Sequence, residues 1–284
     1  MRSLFKKECS LKDWTTFGIG GNAKYFIEAK SIAQIQEVIR FCHRENLRYC
    51  ILGKGSNALF SDNGFDGLVI LNKIQFIEEN QGIFSVGAGY SFSLLGSQTA
   101  RKGWKGLEFA SGIPGSVGGA VFMNAGANGG ETFQTVVDVT WINEKGDIEV
   151  LSKEELQWGY RWTVFHERKG AIVAARFRLD ASSDARGYQL ALIDYRTKTQ
   201  PYSESSAGCA FRNTVHAPAG KLIEECGLKG FAIGGAEVSL VHANFIVNKG
   251  GATASDVLAL TKHIQQTVFE KTGHLLEMEI RVIA

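Results

Sequence analysis

No run of this chain approaches the roughly 18 consecutive apolar residues that a membrane-spanning helix needs. No CxxC pair occurs among the five cysteines, Cys9, Cys42, Cys50, Cys209 and Cys226. Their odd number and wide scatter argue against a disulfide framework and a zinc site, and suit a reducing compartment. Excess charge of either sign is also missing: 31 Lys and Arg against 29 Asp and Glu leave a net charge of +2, which gives no support for a nucleic-acid surface. The basic start, Met1-Arg2-Ser3-Leu4-Phe5-Lys6-Lys7-Glu8, leads into no apolar signal core. The expectation is a cytoplasmic protein with neither nucleic-acid nor membrane partners. Repeats and low-complexity tracts are absent, and 284 residues suit two domains with real cores, or one large one.

Glycine is plentiful. Its densest stretch is Gly112-Ile113-Pro114-Gly115-Ser116-Val117-Gly118-Gly119-Ala120-Val121-Phe122-Met123-Asn124-Ala125-Gly126-Ala127-Asn128-Gly129-Gly130. Each Gly inside a helix or strand costs about 0.5–1 kcal/mol relative to Ala. The stretch therefore reads as too glycine-dense for an ordinary helix or strand interior and as built for close backbone approach. Two readings stand open: main-chain N–H groups that cradle an anion such as a cofactor diphosphate, or a pair of tight turns with no ligand. A second cluster, Gly53-Lys54-Gly55-Ser56-Asn57, follows the apolar run Tyr49-Cys50-Ile51-Leu52 and so sits in the loop after a buried strand. It lacks the spacing of a P-loop and of the dinucleotide fingerprint, which leaves phosphates to be held by loops.

Period and punctuation predict a β-α-β start: a strand over 24–29, a helix capped by Ser31 with Ile35, Val38, Ile39 and Cys42 on one face, and a strand ending at Leu52. Strands over 68–71 and 84–86 and a helix over 91–101 follow. Residues 136–142 and 148–151 flank a hairpin turn, and Ser152-Lys153-Glu154-Glu155 has capping-box spacing. After a strand over 171–179, the polar patch 181–187 marks a domain boundary. Helices are expected over 189–196, 218–226 and 255–272. A terminal strand is expected with Leu276, Met278, Ile280 and Val282 on one side and Glu277, Glu279 and Arg281 on the other.

The order Thr15-Thr16-Phe17-x-Ile19-Gly20-Gly21, then Gly53-Lys54-Gly55-Ser56-Asn57, then Gly112-Ile113-Pro114-Gly115-x-Val117-Gly118-Gly119 resembles the UDP-N-acetylenolpyruvoylglucosamine reductases, flavoenzymes of peptidoglycan precursor synthesis. The resemblance covers nearly the whole chain, and the short interval between Gly227 and His242 is similar to the shorter subtype of that family. It implies an α+β fold: an FAD-binding domain of the vanillyl-alcohol oxidase / p-cresol methylhydroxylase type (1–186), a smaller α+β substrate-binding domain (187–273), and a C-terminal strand returning to the active site (274–284). It also implies noncovalent FAD, NADPH as reductant and UDP-N-acetylenolpyruvoylglucosamine as substrate.

Carried over residue by residue, the resemblance assigns the flavin to Gly53, Lys54, Gly55, Ser56, Asn57, Gly112, Ile113, Pro114, Gly115, Ser116, Val117, Gly118, Gly119, Asn124, Ile172 and Val173. Gly159-Tyr160-Arg161-Trp162-Thr163-Val164-Phe165 resembles the family's Gly-Tyr-Arg-x-Ser-x-Phe, with Thr163 for Ser, and makes Arg161 the catalytic arginine. Without the resemblance, Arg161 reads as a surface arginine lying over aromatic neighbours. Ala207-Gly208-Cys209-Ala210-Phe211-Arg212-Asn213 puts Cys209 where the family carries a proton-donating Ser; a lone Cys is otherwise a small buried hydrophobe. Leu276-Glu277-Met278-Glu279-Ile280-Arg281 makes Glu279 the catalytic glutamate, against the plain reading of a solvated strand face. Tyr160, Arg196, Lys198, Arg212, Asn213, His242 and Asn244 are then the expected substrate contacts.

Two other functions fit the same residues. An oxidase of this fold often tethers its flavin through His or Cys, yet no His lies between His43 and His166 and no Cys between Cys50 and Cys209. A non-catalytic flavin or nucleotide-sugar binding protein is compatible with the departures at Cys209 and Thr163.

Overall fold

The computed structural model describes all residues, 1–284. The chain divides into two compact units, each assembled from separate stretches. The first takes Met1–Lys7, Tyr25–Lys54 and Gly67–Arg196; the second takes Glu8–Lys24, Gly55–Asp66 and Thr197–Ala284.

In the first unit, helix α1 (Ile32–Arg44) starts on the Ser31 side chain, which accepts from the Gln34 N–H, and buries Ile35, Val38, Ile39, Phe41 and Cys42. The strand Tyr49–Leu52 then pairs in parallel with Phe65–Asn72, matching Cys50 to Val69 and Leu52 to Leu71, as the β-α-β reading expects. An antiparallel five-stranded sheet follows, in the order Ile148–Ser152, Val136–Asn143, Gly170–Arg178, Ile83–Gly87, Ile77–Asn80. Helices α2 (Phe92–Arg101, capped by Ser91) and α3 (Val117–Met123) belong to the core built around Phe84, Phe92, Val117 and Phe177.

Helix α3 corrects an expectation, since the glycine-dense stretch does form a helix. Ser116 caps it by accepting from the Gly119 N–H, and the Gly118 N–H donates to Ala88 O at 2.8 Å. A Cβ at Gly118 would sit 2.9 Å from Ala88 Cβ, so tertiary packing outweighs the intrinsic penalty of the glycines. Beyond the helix, Gly126–Ala127 and Gly130–Glu131 form a small hairpin whose turn residues, Asn128 and Gly129, both have positive φ (52° and 83°). The patch 181–187 is more ordered than expected: Ala181 pairs with Trp104, and α4 (Ala185–Thr199) already begins at Ala185.

The second unit carries an antiparallel sheet in the order Ser205–Cys209, Phe245–Asn248, Ala236–Val238, Ala232–Ile233. Helices α5 (Ala219–Glu225) and α6 (Ala254–Thr272) enter the same core, where Phe17, Ile19 and Leu59 meet Val257, Leu260 and Ile264. The motif 15–21 is structural here: Phe17 and Ile19 are buried, and a Cβ on Gly21 would overlap the backbone of Asp62 and Gly64. The terminal strand is shorter than predicted, spanning Arg281–Ile283 and lying parallel to Ala58–Phe60. Upstream of it, Met278 bridges to Phe211. Leu276 and Ile280 are buried, but Val282 is exposed, because the chain changes partner at Glu279 and Arg281 and the alternation slips.

Candidate active site

The loop 53–57 has the chemistry of an anion cradle. In the first unit the main-chain N–H groups of Gly53 and Lys54 donate to no acceptor within the protein, and in the second the same holds for Gly55, Ser56 and Asn57. A Cβ at Gly53 would overlap Ser116 Oγ within the first unit, and one at Gly55 (φ +64°) would overlap Trp14 O within the second, so each glycine permits a close approach that a side chain would block. Lys54 Nζ donates to Ser91 Oγ at 2.9 Å. Burial and the nearby charge of Lys73 lower the Lys54 pKa, a destabilisation that a bound anion relieves. Ser111, directly before Gly112, is fully buried with its hydroxyl bonded to nothing, while Ser93 Oγ accepts from the Gly112 N–H. The free amides of Gly53 and Lys54 and the destabilised Lys54 cation are what a diphosphate-bearing flavin would satisfy in the first unit. Ser91, which holds the Lys54 ammonium, and Lys73, whose charge acts on it, are absent from the sequence-based set, since neither lies in a glycine stretch.

Three of the expected flavin residues also hold bonds within the protein. Asn124 is fully buried: its Nδ2 donates to Glu131 Oε2 and Gly159 O, and its Oδ1 accepts from the Phe133 N–H. Both protons of that amide are used within the protein. Ile172 O accepts from Asn72 Nδ2 and Val173 O from the Ala88 N–H, with both side chains buried.

Arg161 sits at the tip of the hairpin pairing Trp158–Gly159 with Trp162–Thr163. Its φ of +55° is a left-handed conformation, costly for a residue with a Cβ. Its Nη2 donates to Gly126 O at 2.6 Å, and its guanidinium lies over the Tyr160 ring, 4.9 Å from the centroid. Thr163 Oγ1 donates to Phe122 O.

In the second unit, the backbone brings Glu279 beside the segment that carries Cys209. The Glu279 N–H donates to Ala210 O at 2.8 Å, and the Arg212 N–H donates to Glu277 O. Asn57 clamps the other side: its Nδ2 donates to Glu279 O, and its own carbonyl accepts from the Arg281 N–H. Cys209 is half-buried. Arg212 Nη1 also lies 3.5 Å from Glu277 Oε2, and Asn213 Oδ1 accepts from the Ala219 N–H.

Two expected substrate contacts also hold the local backbone. Asn244 is buried, with Nδ2 donating to Phe211 O and Oδ1 accepting from the Phe211 N–H, so it fixes the backbone next to Cys209. His242 Nδ1 accepts from the Asn244 N–H, and burial followed by the charge of Lys229 lowers its pKa. Arg196 and Lys198 do not share a face of α4, since Arg196 is buried and Lys198 exposed. No cluster of His, Cys, Asp and Glu could hold a metal, and no helix is long and apolar enough to cross a membrane.

Comparison with known proteins agrees with this layout. Residues 23–152 match the FAD binding domain model, and residues 200–283 match the model of the UDP-N-acetylenolpyruvoylglucosamine reductase C-terminal domain. A reductase of that name from Protochlamydia amoebophila is 58% identical over 280 residues, covering 98% of this chain and 94% of its own. The one from Chlamydia pneumoniae is 46% identical, covering 96% and 90%. The crystal structure of the Thermus caldophilus reductase superposes with a TM-score of 0.85 at 37% identity, covering 99% of this chain and all of its own. With a mixed α and β fold, a flavin-type cradle and this likeness along its whole length, the chain belongs to the UDP-N-acetylenolpyruvoylglucosamine reductase family.

Proposed function

We propose that this chain reduces UDP-N-acetylenolpyruvoylglucosamine to UDP-N-acetylmuramate in the cytoplasm, with NADPH as reductant and FAD as a noncovalently bound cofactor, a step of peptidoglycan precursor synthesis. The likeness at 58% identity over nearly the full chain carries the reading. The absence of His and Cys from both glycine loops supports a cofactor held without a covalent link. The division into a flavin-binding region (1–186), a substrate-binding region (187–273) and a returning C-terminal segment (274–284) draws support from the two matched spans. It is amended here in that residues 8–24 and 55–66 pack with the second unit.

The substrate is an enol ether conjugated to a carboxylate. When bound, FAD supplies the hydride that NADPH provides and the β carbon receives. Negative charge then moves into the carboxylate oxygens, and Arg161 stabilises it; a preorganised donor of this kind is worth about 10²–10³ in rate. Glu279 orients and polarises the same group. Cys209 holds the proton delivered to the α carbon. Tyr160, Arg212, Asn213, Lys198 and Arg196 are the proposed contacts to the nucleotide sugar. His242 and Asn244 join them as proposed contacts and also shape the backbone around Cys209.

The test is spectroscopic. Purified protein should be yellow, bleach with NADPH in the absence of oxygen, and recolour when the enolpyruvyl sugar is added. Bleaching without recolouring by that substrate would overturn the reading in favour of another flavoprotein activity or a binding role.

A further inference from the structure

Helix α3 has the flavin glycines at one end and the arginine hairpin at the other. Its N-terminal end is Ser116 to Gly119, and its seven residues span about 10 Å. At its C-terminal end, where carbonyls lack intrahelical partners, Thr163 Oγ1 donates to Phe122 O at 2.8 Å. Asn124, in the left-handed C-cap position, reaches Gly159 O at 2.9 Å. The hairpin carrying Arg161 is therefore fastened on both of its strands, by two side chains that are each 0% exposed. Neither bond faces competition from water. Arg161 is meanwhile held at positive φ, in a position glycine would occupy with less strain. Such strain persists only where the surroundings over-determine it, and these two anchors supply the over-determination.

We propose that Thr163 and Asn124 are positioning residues for Arg161, fixing its guanidinium relative to the flavin-binding end of α3 for the reduction of the enolpyruvyl group. The inference rests on the role given to Arg161 above. Reduction of the flavin by NADPH places no negative charge on a substrate carboxylate, so the anchors matter to one half-reaction only. Displacing a charge-stabilising group by about 1 Å can slow a reaction by about 10²-fold.

The experiment measures the two half-reactions separately by anaerobic stopped flow in Thr163→Val, which removes the hydroxyl at constant volume, and in Thr163→Ser, which keeps it. Thr163→Val should retain the wild-type flavin content, visible spectrum and NADPH bleaching rate within about twofold. Recolouring at saturating enolpyruvyl sugar should slow by about 10–100-fold, with half-saturation little changed. Thr163→Ser should recover most of the rate. In an Arg161→Ala background, Thr163→Val should add almost nothing, because the two act as one unit. Asn124→Asp combined with Glu131→Gln, in which the new carboxylate still accepts from Phe133 N–H and the glutamine amide replaces the facing Glu131 charge, no longer donates to Gly159 O and should repeat the selective loss from the second anchor; it stands in if Thr163→Val fails to fold. Recolouring at the wild-type rate in these variants, or equal losses in both half-reactions that Thr163→Ser does not reverse, would overturn the proposal. A wild-type protein that the enolpyruvyl sugar does not recolour would instead overturn the function on which it rests.

Discussion

Cys209 stands where the family pattern it resembles carries Ser, and its half-buried place beside Ala210, whose carbonyl receives the Glu279 N–H, gives that departure consequences. A thiol ionises well before a hydroxyl, and a thiolate has no proton to give. Cys209→Ser should therefore carry substrate reduction to higher pH than the parent chain, read from the pH profile of flavin recolouring. Cys209→Ala should bleach normally with NADPH and recolour about 10²–10⁴-fold more slowly; recolouring at the parent rate would make Cys209 a packing residue. His242 was legible as an imidazole in a substrate-domain motif, but its partner was not, because the bond runs to the main chain two residues on. Burial and the charge of Lys229 hold its pKa below the usual imidazole value of about 6.5, so on acidification the unfolded chain takes up a proton before the folded chain does. Below about pH 6.5 the unfolded state binds more protons, and stability falls with pH until the folded pKa is passed; above it this contribution is level. His242→Asn, which can still accept from the Asn244 N–H, should flatten the acid side of a plot of unfolding free energy against pH. An unaltered slope would show that other groups set it.

Helices were the most legible elements where an apolar 3.6-residue period coincided with a cap, as at Ser31 for α1, whereas the caps at Ser91 for α2 and Thr253 for α6 emerge only in the structure. Helix α3 was illegible for the opposite reason. Its glycines argue against a helix by propensity, and only the approach of Ala88 and the cap from Ser116 explain why they are helical. That difference separates two neighbouring positions by experiment. Gly118→Ala drives a methyl to 2.9 Å from Ala88 Cβ and should destabilise by about 1–3 kcal/mol, seen as a lower thermal midpoint even in flavin-free protein. Gly119→Ala meets only Ser116 Oγ, at 3.4 Å, and lies on the exposed side of the first turn. In flavin-free protein it should be neutral or stabilising by up to about 1 kcal/mol, while flavin affinity falls. Equal thermal midpoints for the two variants would refute this account of α3. The terminal segment shows the reverse failure, a clean period-two pattern that the fold does not honour. The backbone leaves one partner at Glu279 and takes another at Arg281, which sequence alternation has no means to encode.

At the scale of the whole molecule, family, cofactor class and the α+β mixture were all readable from motif order, because glycine loops leave a trace in one dimension. The interleaving of the two units was not, since nothing local in 8–24 or 55–66 states that Phe17, Ile19 and Leu59 will be buried against helix α6. A fragment consisting of residues 197–284 should accordingly lack those core side chains and show no cooperative thermal transition by circular dichroism. A sharp transition in that fragment would mean that the second unit is self-sufficient. The parallel pairing of Ala58–Phe60 with Arg281–Ile283 sets a schedule for biosynthesis as well. A strand made early must remain without its partner until the ribosome has delivered almost the last residue, a delay on the order of 10 s or more at roughly 5–20 residues per second. For that interval the nascent chain exposes an apolar Ala58-Leu59-Phe60 edge to its surroundings. Its yield in the cell should then depend on holding chaperones and on translation speed across the final third of the message, and a stop codon placed just before Arg281 should convert a transient exposure into a permanent one.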